Sequence, residues 1–159
     1  QVVVSHAFCL GDVTERERDA LLAQMAELGV AIATTAPASR PVPLVAPCRA
    51  AGVTIFGGND GIRDTWTPYG SPDMLERAML IGLRNNFRRD DEIALAFDCV
   101  SGAGAKGCGF SAYGLAPGAR ADLVLVDART LAEAVVVRPG RRLVVSAGRV
   151  VARDGALVG

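Results

Sequence analysis

His6 is the only histidine among 159 residues, and it directly follows the apolar run Val2-Val3-Val4-Ser5. An imidazole titrates near neutrality, so a histidine at a strand end suits general acid–base work or the polarising of an electrophile. Its plainer role is a strand-end side chain bonded to backbone, and for His6 alone the two readings stand level. Asp60 sits in Gly57-Gly58-Asn59-Asp60-Gly61-Ile62-Arg63-Asp64-Thr65-Trp66, behind the strand-like Val53-Thr54-Ile55-Phe56. A carboxylate just past a buried strand can ligate a metal or take a proton from water. Alternatively Asp60 or Asn59 caps the turn, as Asx residues do. Asp64 has no strand before it and reads as structural. Trp66, the sole tryptophan, stands among Thr65, Thr67, Pro68 and Tyr69, where a flat aromatic either walls a pocket or packs its loop down. Ser5 lacks the G-x-S-x-G surroundings of a nucleophile, and Cys9 is expected to be a small buried side chain.

These side chains need elements to hold them. Residues 2–6 read as a strand of the continuous apolar kind found inside parallel sheets. Thr14 is a candidate N-cap with Glu17 in the capping-box position, opening a helix that Gly29 closes. Val30–Thr34 is a second strand, residues 46–51 a short helix, and residues 53–56 a third strand. Pro72 occupies an expected first helical position, followed by a largely buried helix through Leu83. Another helix runs from Asp90 to about Val100, with its acidic residues in the first turn. Alternation of strand and helix predicts an α/β fold with parallel strands. Both able side chains then lie at carboxyl ends of strands, where a barrel of parallel strands keeps its active site. After residue 101 the pattern changes: Ser101–Gly109 is small and glycine-rich. Strands follow at 121–127, 143–146 and 149–152, with a short helix or turn at 130–136 and a tight turn at Ala147-Gly148.

Composition narrows the function. Half the residues are hydrophobic and 21% charged, with Lys+Arg and Asp+Glu at 17 each. This is globular composition, and a formal net charge of zero gives no electrostatic reason to expect nucleic acid or an anionic membrane. The pairs Arg88-Arg89 and Arg141-Arg142 read as solvated surface. Four cysteines without any C-x-x-C, beside one histidine, argue against a structural zinc site and for reduced thiols in the cytoplasm. No apolar run has the length of a membrane span, and no signal peptide is read. Gln1 leads straight into a strand of the buried type, so the residues are expected to belong to something longer.

Val-Ser-His-Ala-Phe at 4–8, the Gly57–Trp66 stretch, and Pro-Tyr-Gly-Ser-Pro-Asp-Met-Leu at 68–75 together resemble the C-terminal half of the metal-dependent cytosine deaminases. The tail Gly114-Leu115-Ala116-Pro117-Gly118-Ala119-Arg120-Ala121-Asp122-Leu123-Val124 is similar to the closing signature of the wider amidohydrolase superfamily. The resemblance covers the whole chain. It implies a partial (β/α)8 TIM barrel, strands 6 to 8, over residues 1–105, and a C-terminal portion of a small β-sandwich over 106–159. It implies hydrolytic removal of an amino group from a pyrimidine-like ring, with one divalent metal ion, zinc or iron. His6 would be the strand-6 histidine that orients the attacking water, and Asp60 the strand-8 aspartate that touches the metal and accepts a proton. Trp66 would stand near the substrate ring. The expected partner is a small heterocyclic molecule, with no nucleic acid and no membrane, and the complete enzyme is expected to be a homo-oligomer.

The chain also departs from that family. It has no H-x-H pair and no second histidine with a following glutamate, so it offers one metal ligand where three are usual. Asn59 stands where several cytosine deaminases carry histidine, which leaves the substrate open. The 159 residues alone are therefore expected to be inactive. An amidohydrolase acting on triazines or cyclic amides is the alternative enzyme. A non-catalytic remnant serving as an assembly or interaction module is the alternative outside catalysis.

Overall fold

In the computed structural model, which describes residues 2–158, three strands form a parallel sheet: β1 (Val2–Ser5), β2 (Val30–Thr34) and β3 (Ile55–Gly57), side by side in that order. Val2 pairs with Val30 and Ile32 with Ile55. A short α1 (Cys9–Asp12) and the longer α2 (Glu15–Glu27) join β1 to β2, and α3 (Val45–Ala50) precedes β3. The capping box forms as the residue types require. The Thr14 amide donates to Glu17 Oε2 at 3.0 Å and the Glu17 amide donates to Thr14 Oγ1 at 3.4 Å. Gly29 then takes φ +65°, the left-handed turn that ends the helix.

Beyond β3 come α4 (Met74–Arg84), α5 (Asp90–Cys99) and α6 (Gly102–Gly107). One face of the sheet packs Ile32 and Ile55 against Leu22, Val45, Ile81 and Cys99 from the helical layer and against Val53 just before β3. The other face sets Ala31 and Phe56 against Ala103 of α6. This two-sided burial follows from the strands' alternation of side chains. The chain continues into an antiparallel sheet of β4 (Leu123–Val126), β5 (Arg141–Ser146), β6 (Arg149–Arg153) and β7 (Ala156–Leu157), with α7 (Leu131–Val137) between β4 and β5. Ala134 and Val135 of α7 pack with Leu75 and Ala78 of α4, which joins the second sheet to the first unit.

Several expectations need correction. Among the described residues β1 pairs with β2 alone, and Val2, Val3 and Val4 are 59%, 41% and 39% exposed, so within this chain the apolar strand lies at the sheet edge. Cys9 is exposed at the head of α1, whereas Cys48 and Cys99 are buried. Pro72 precedes the helix: Asp73 is the N-cap of α4, its carboxylate accepting from the Leu75 amide at 2.8 Å. The small, glycine-rich Ser101–Gly109 stretch, to which no element was assigned from sequence, contains the helix α6. Arg141 is not solvated surface, because its guanidinium pairs with the carboxylate of Asp73 and both side chains are about three-quarters covered. Three parallel strands and their helices make an open α/β sheet.

Candidate active site

The turns that follow β1 and β3 bring the two sequence-singled residues together. The His6 amide donates to the Ala33 carbonyl at 2.7 Å, and the Gly58 amide donates to the Thr34 carbonyl at 3.0 Å. Both turns are thereby tied to the carboxyl end of β2, the central strand. His6 Nε2 then lies 3.4 Å from Asp60 Oδ2, although the two are far apart in the chain. That distance is long for a hydrogen bond and close enough for an ion pair once the imidazole carries a proton.

The backbone is unusual at these residues. His6, Ala7 and Asp60 have φ of +66°, +48° and +56°, all in the left-handed region. Each such residue costs about 1–2 kcal/mol relative to ordinary backbone. Conformations of this kind persist where the surroundings over-determine them, and they cluster at functional sites. In each turn the left-handed residue closely follows the strand end.

The imidazole is further held by stacking. Its ring lies 4.8 Å from that of Phe8 with an interplanar angle of 22°, and the Arg40 guanidinium sits 4.9 Å over the other ring. His6 Nδ1 is buried and has no hydrogen-bond partner among the described residues. Asp60 is the open member of the pair, its side chain 61% exposed against 31% for His6. A fixed imidazole beside a solvent-facing carboxylate can pass a proton between water and a bound molecule.

Asp64 does what its position suggested. Its Oδ1 accepts from the Trp66 amide at 2.9 Å and the Thr67 amide at 3.0 Å, which closes the loop. These backbone donors, Thr67 first and then Trp66, hold its carboxyl below the ordinary carboxylate range. Trp66 is 88% exposed, so among the described residues it neither packs the loop down nor walls a pocket. A cavity of 520 Å³ between α5 and α7, lined by Asp90, Ile93, Arg129 and Glu133 among others, reaches neither His6 nor Asp60.

Sequence reasoning passed over Arg77. This residue of α4 is 8% exposed, with its side chain at the carboxyl ends of β2 and β3. Its Nε donates to Asn59 Oδ1 at 3.0 Å, and its Nη1 donates to the Thr35 carbonyl. Burial pulls this guanidinium below the ordinary arginine value, with Glu76 opposing. The available signal was its helical spacing: Arg77 shares a buried face with Ile81, one turn on.

The donor set tests the fit of a divalent metal. Asp60 and His6 are two candidate groups in contact. Nowhere among the described residues do three or more His, Cys, Asp or Glu side chains gather as a metal site. A catalytic metal takes three protein ligands, so these residues fit a contribution to a metal centre and do not make one by themselves.

Parallel strands with an imidazole and a carboxylate meeting at their carboxyl edge make an α/β unit with a candidate site where such sheets bind ligands. The chain belongs to the amidohydrolase family, whose sequence profile matches residues 2–152. It is 26% identical over 159 residues to the N-isopropylammelide isopropyl amidohydrolase of Pseudomonas sp. (strain ADP), covering 99% of this chain and 40% of that protein. It superposes on the crystal structure of N-isopropylammelide isopropylaminohydrolase from Burkholderia multivorans with a TM-score of 0.97 and 75% identity. That match covers 99% of this chain and 40% of the other. The 5-methylcytosine deaminase of Klebsiella pneumoniae, in complex with 5-fluorocytosine, shares the fold at a TM-score of 0.85 and 22% identity over 96% of this chain and 40% of its own. The chain thus spans about two fifths of the length of the relatives it matches. No described helix is long and apolar enough to cross a membrane.

Proposed function

We propose that these residues are part of an amidohydrolase that replaces an amino or alkylamino substituent on an electron-poor nitrogen heterocycle with oxygen, using water. The carrying observation is the His6–Asp60 pair, 3.4 Å apart at the carboxyl ends of β1 and β3. Water attacks the ring carbon, the carbon–nitrogen bond breaks, and the amine departs with a proton. Asp60 accepts the proton of the attacking water and delivers it to the leaving nitrogen. His6, fixed by Phe8 and by its backbone bond to Ala33, orients the water and steadies the developing negative charge.

One divalent ion, zinc or iron, would supply Lewis acidity to this chemistry, with Asp60 as one of its ligands. The other ligands would come from residues outside these 159. In this reading β1 to β3 are strands 6 to 8 of a (β/α)8 barrel. Residues 1–105 then belong to the barrel, 106–159 to a β-sandwich, and the 159 residues are inactive alone. Trp66 would approach the substrate once the rest of the barrel is in place.

The substrate class we favour is an N-alkylated triazine of the N-isopropylammelide type, supported by the 75% identity to the Burkholderia enzyme of that name. A pyrimidine such as cytosine, suggested by the Gly57–Trp66 motif, is the competing class. The test is turnover by the full-length protein of N-isopropylammelide and of cytosine, followed through release of isopropylamine and of ammonia. Faster release of isopropylamine supports the triazine reading. Faster release of ammonia from cytosine moves the substrate to the pyrimidines, and silence on both rings overturns the proposed function.

A further inference from the structure

Arg77 is a buried cation with no carboxylate partner among the ion pairs of the described residues. Burying an uncompensated guanidinium is costly, and it persists only where its hydrogen bonds matter to the surroundings. Those bonds go to two places: the Asn59 side chain in the turn after β3, and the Thr35 carbonyl just past β2. Asn59 directly precedes Asp60, whose backbone is left-handed. The Asn59 amide nitrogen is also engaged, 3.5 Å from the Met74 sulfur. Asn59 is therefore clamped at both ends of its amide by α4.

The sheet makes room for this clamp. A Cβ built on Gly57 would lie 2.9 Å from Ile81 Cδ1, 3.0 Å from Val100 Cγ1 and 3.2 Å from Arg77 Cγ. The aliphatic stem of Arg77 thus passes close over the last residue of β3, where a side chain would crowd it. Backbone, stem and fork converge on the turn that carries Asp60.

We infer that Arg77 is a positioning residue of the proposed site, which holds Asp60 in register with His6 by gripping Asn59 and tying its turn to the end of β2. The inference rests on the role proposed for Asp60 and adds a residue to it. The planar fork is what makes the bridge, since one guanidinium donates to two loops in fixed directions. A lysine keeps the charge and loses the fork.

Three single variants of the full-length protein and the Arg77→Lys/Asn59→Ala double variant test it, each assayed on whichever of N-isopropylammelide and cytosine the wild type turns over faster. Asp60→Asn examines the underlying reading by itself. Arg77→Lys and Asn59→Ala examine the clamp, and Asn59→Ala keeps the test decisive should the arginine variant fail to fold. Displacing a reacting group by about 1 Å costs on the order of 100-fold. Both clamp variants are therefore expected to lose about 10- to 100-fold in kcat per folded molecule, with KM within about threefold. The double variant is expected to be no worse than the poorer single one, because both break one linkage. Amide hydrogen exchange over residues 58–61 should quicken in both clamp variants, a readout independent of turnover.

A fully active Asp60→Asn variant would sink the reading of the site. An inactive Asp60→Asn beside clamp variants with unchanged kcat and unchanged exchange would leave that reading standing and overturn the role of Arg77. Losses that simply multiply in the double variant would also overturn it, since Arg77 would then not act through Asn59.

Discussion

His6 Nε2 and Asp60 Oδ2 stand 3.4 Å apart because the turns after β1 and β3 are each pinned by backbone to the carboxyl end of β2. The pairing is thus a property of the sheet. It predicts that removing either titrating group damages turnover and leaves the fold intact. His6→Asn and Asp60→Asn in the full-length protein should each lower kcat/KM by about 10²- to 10⁴-fold. Circular dichroism melting within a few degrees of wild type would confirm that folding was spared.

Phe56 and Gly107 predict where the fold is least forgiving. A Cβ on Gly107 would lie 2.3 Å from two atoms of the Phe56 ring, closer than any real contact. Gly107→Ala should destabilise by about 1–3 kcal/mol through overpacking. Gly109→Ala meets no neighbouring atom and serves as the comparison, although its φ of +75° carries its own backbone strain. Urea unfolding of the two variants checks the ranking, with Gly107→Ala expected to have the lower midpoint.

The cysteines should divide two and two. Cys9 and Cys108 are exposed, whereas Cys48 and Cys99 are buried. Burial pushes the Cys48 thiol up to about 12 against the opposing pull of Arg18 and Arg49, and it raises Cys99 as well. Native alkylation with iodoacetamide at pH 8, followed by peptide mapping, should label Cys9 and Cys108 and spare the other two. The sign for stability follows from linkage. The unfolded chain releases these protons near the ordinary thiol value of about 8.5, while the folded chain retains them. Stability is therefore intact below about pH 8.5 and declines as pH rises above it.

Asp73 and Arg141 tie the second sheet to the N-terminus of α4. Burial raises the Asp73 carboxyl, but the Arg141 guanidinium and the amides of Leu75 and Glu76 together bring it below the ordinary value. Its folded value being depressed, the contribution is present above about pH 4 and is lost as pH falls further, through the folded value. Asp73→Asn should flatten the acid limb of a stability–pH curve. Thermal melting between pH 3 and 6 measures it, and an unchanged acid limb would show that the link does not matter.

Much of this was legible before any coordinates. β2 falls on Val30–Thr34 as read, because Gly29 turns the chain into it and an unbroken apolar run fills it. The capping box at Thr14 and Glu17 is local chemistry and formed as such. α6 was missed because three glycines in Gly102–Gly107 argue against helix by propensity. At Gly107 the close approach of the Phe56 ring requires a residue without a Cβ, a contact invisible in the local sequence. Arg77 was passed over, and Arg141 was read as solvated surface, because a charge in sequence reads as solvent-facing. Their partners, Asn59 and Asp73, lie many residues away, and no local pattern announces them. His6 and Asp60 were singled out by chemical type, and their spatial meeting was an expectation of family resemblance.

The left-handed backbone at residues 6 and 60 also limits which substitutions natural variation can sample there. Histidine, asparagine and aspartate enter that conformation several times more readily than other non-glycine residues, and β-branched ones scarcely at all. A saturation library at either position would therefore lose valine and isoleucine to misfolding before any chemistry was tested. Asparagine, glycine and the exchange of histidine with aspartate would change the chemistry at the least cost to the backbone. The conformation thus acts as a filter on heredity: lineages that abandon the reaction should first drift to asparagine or glycine at these two positions.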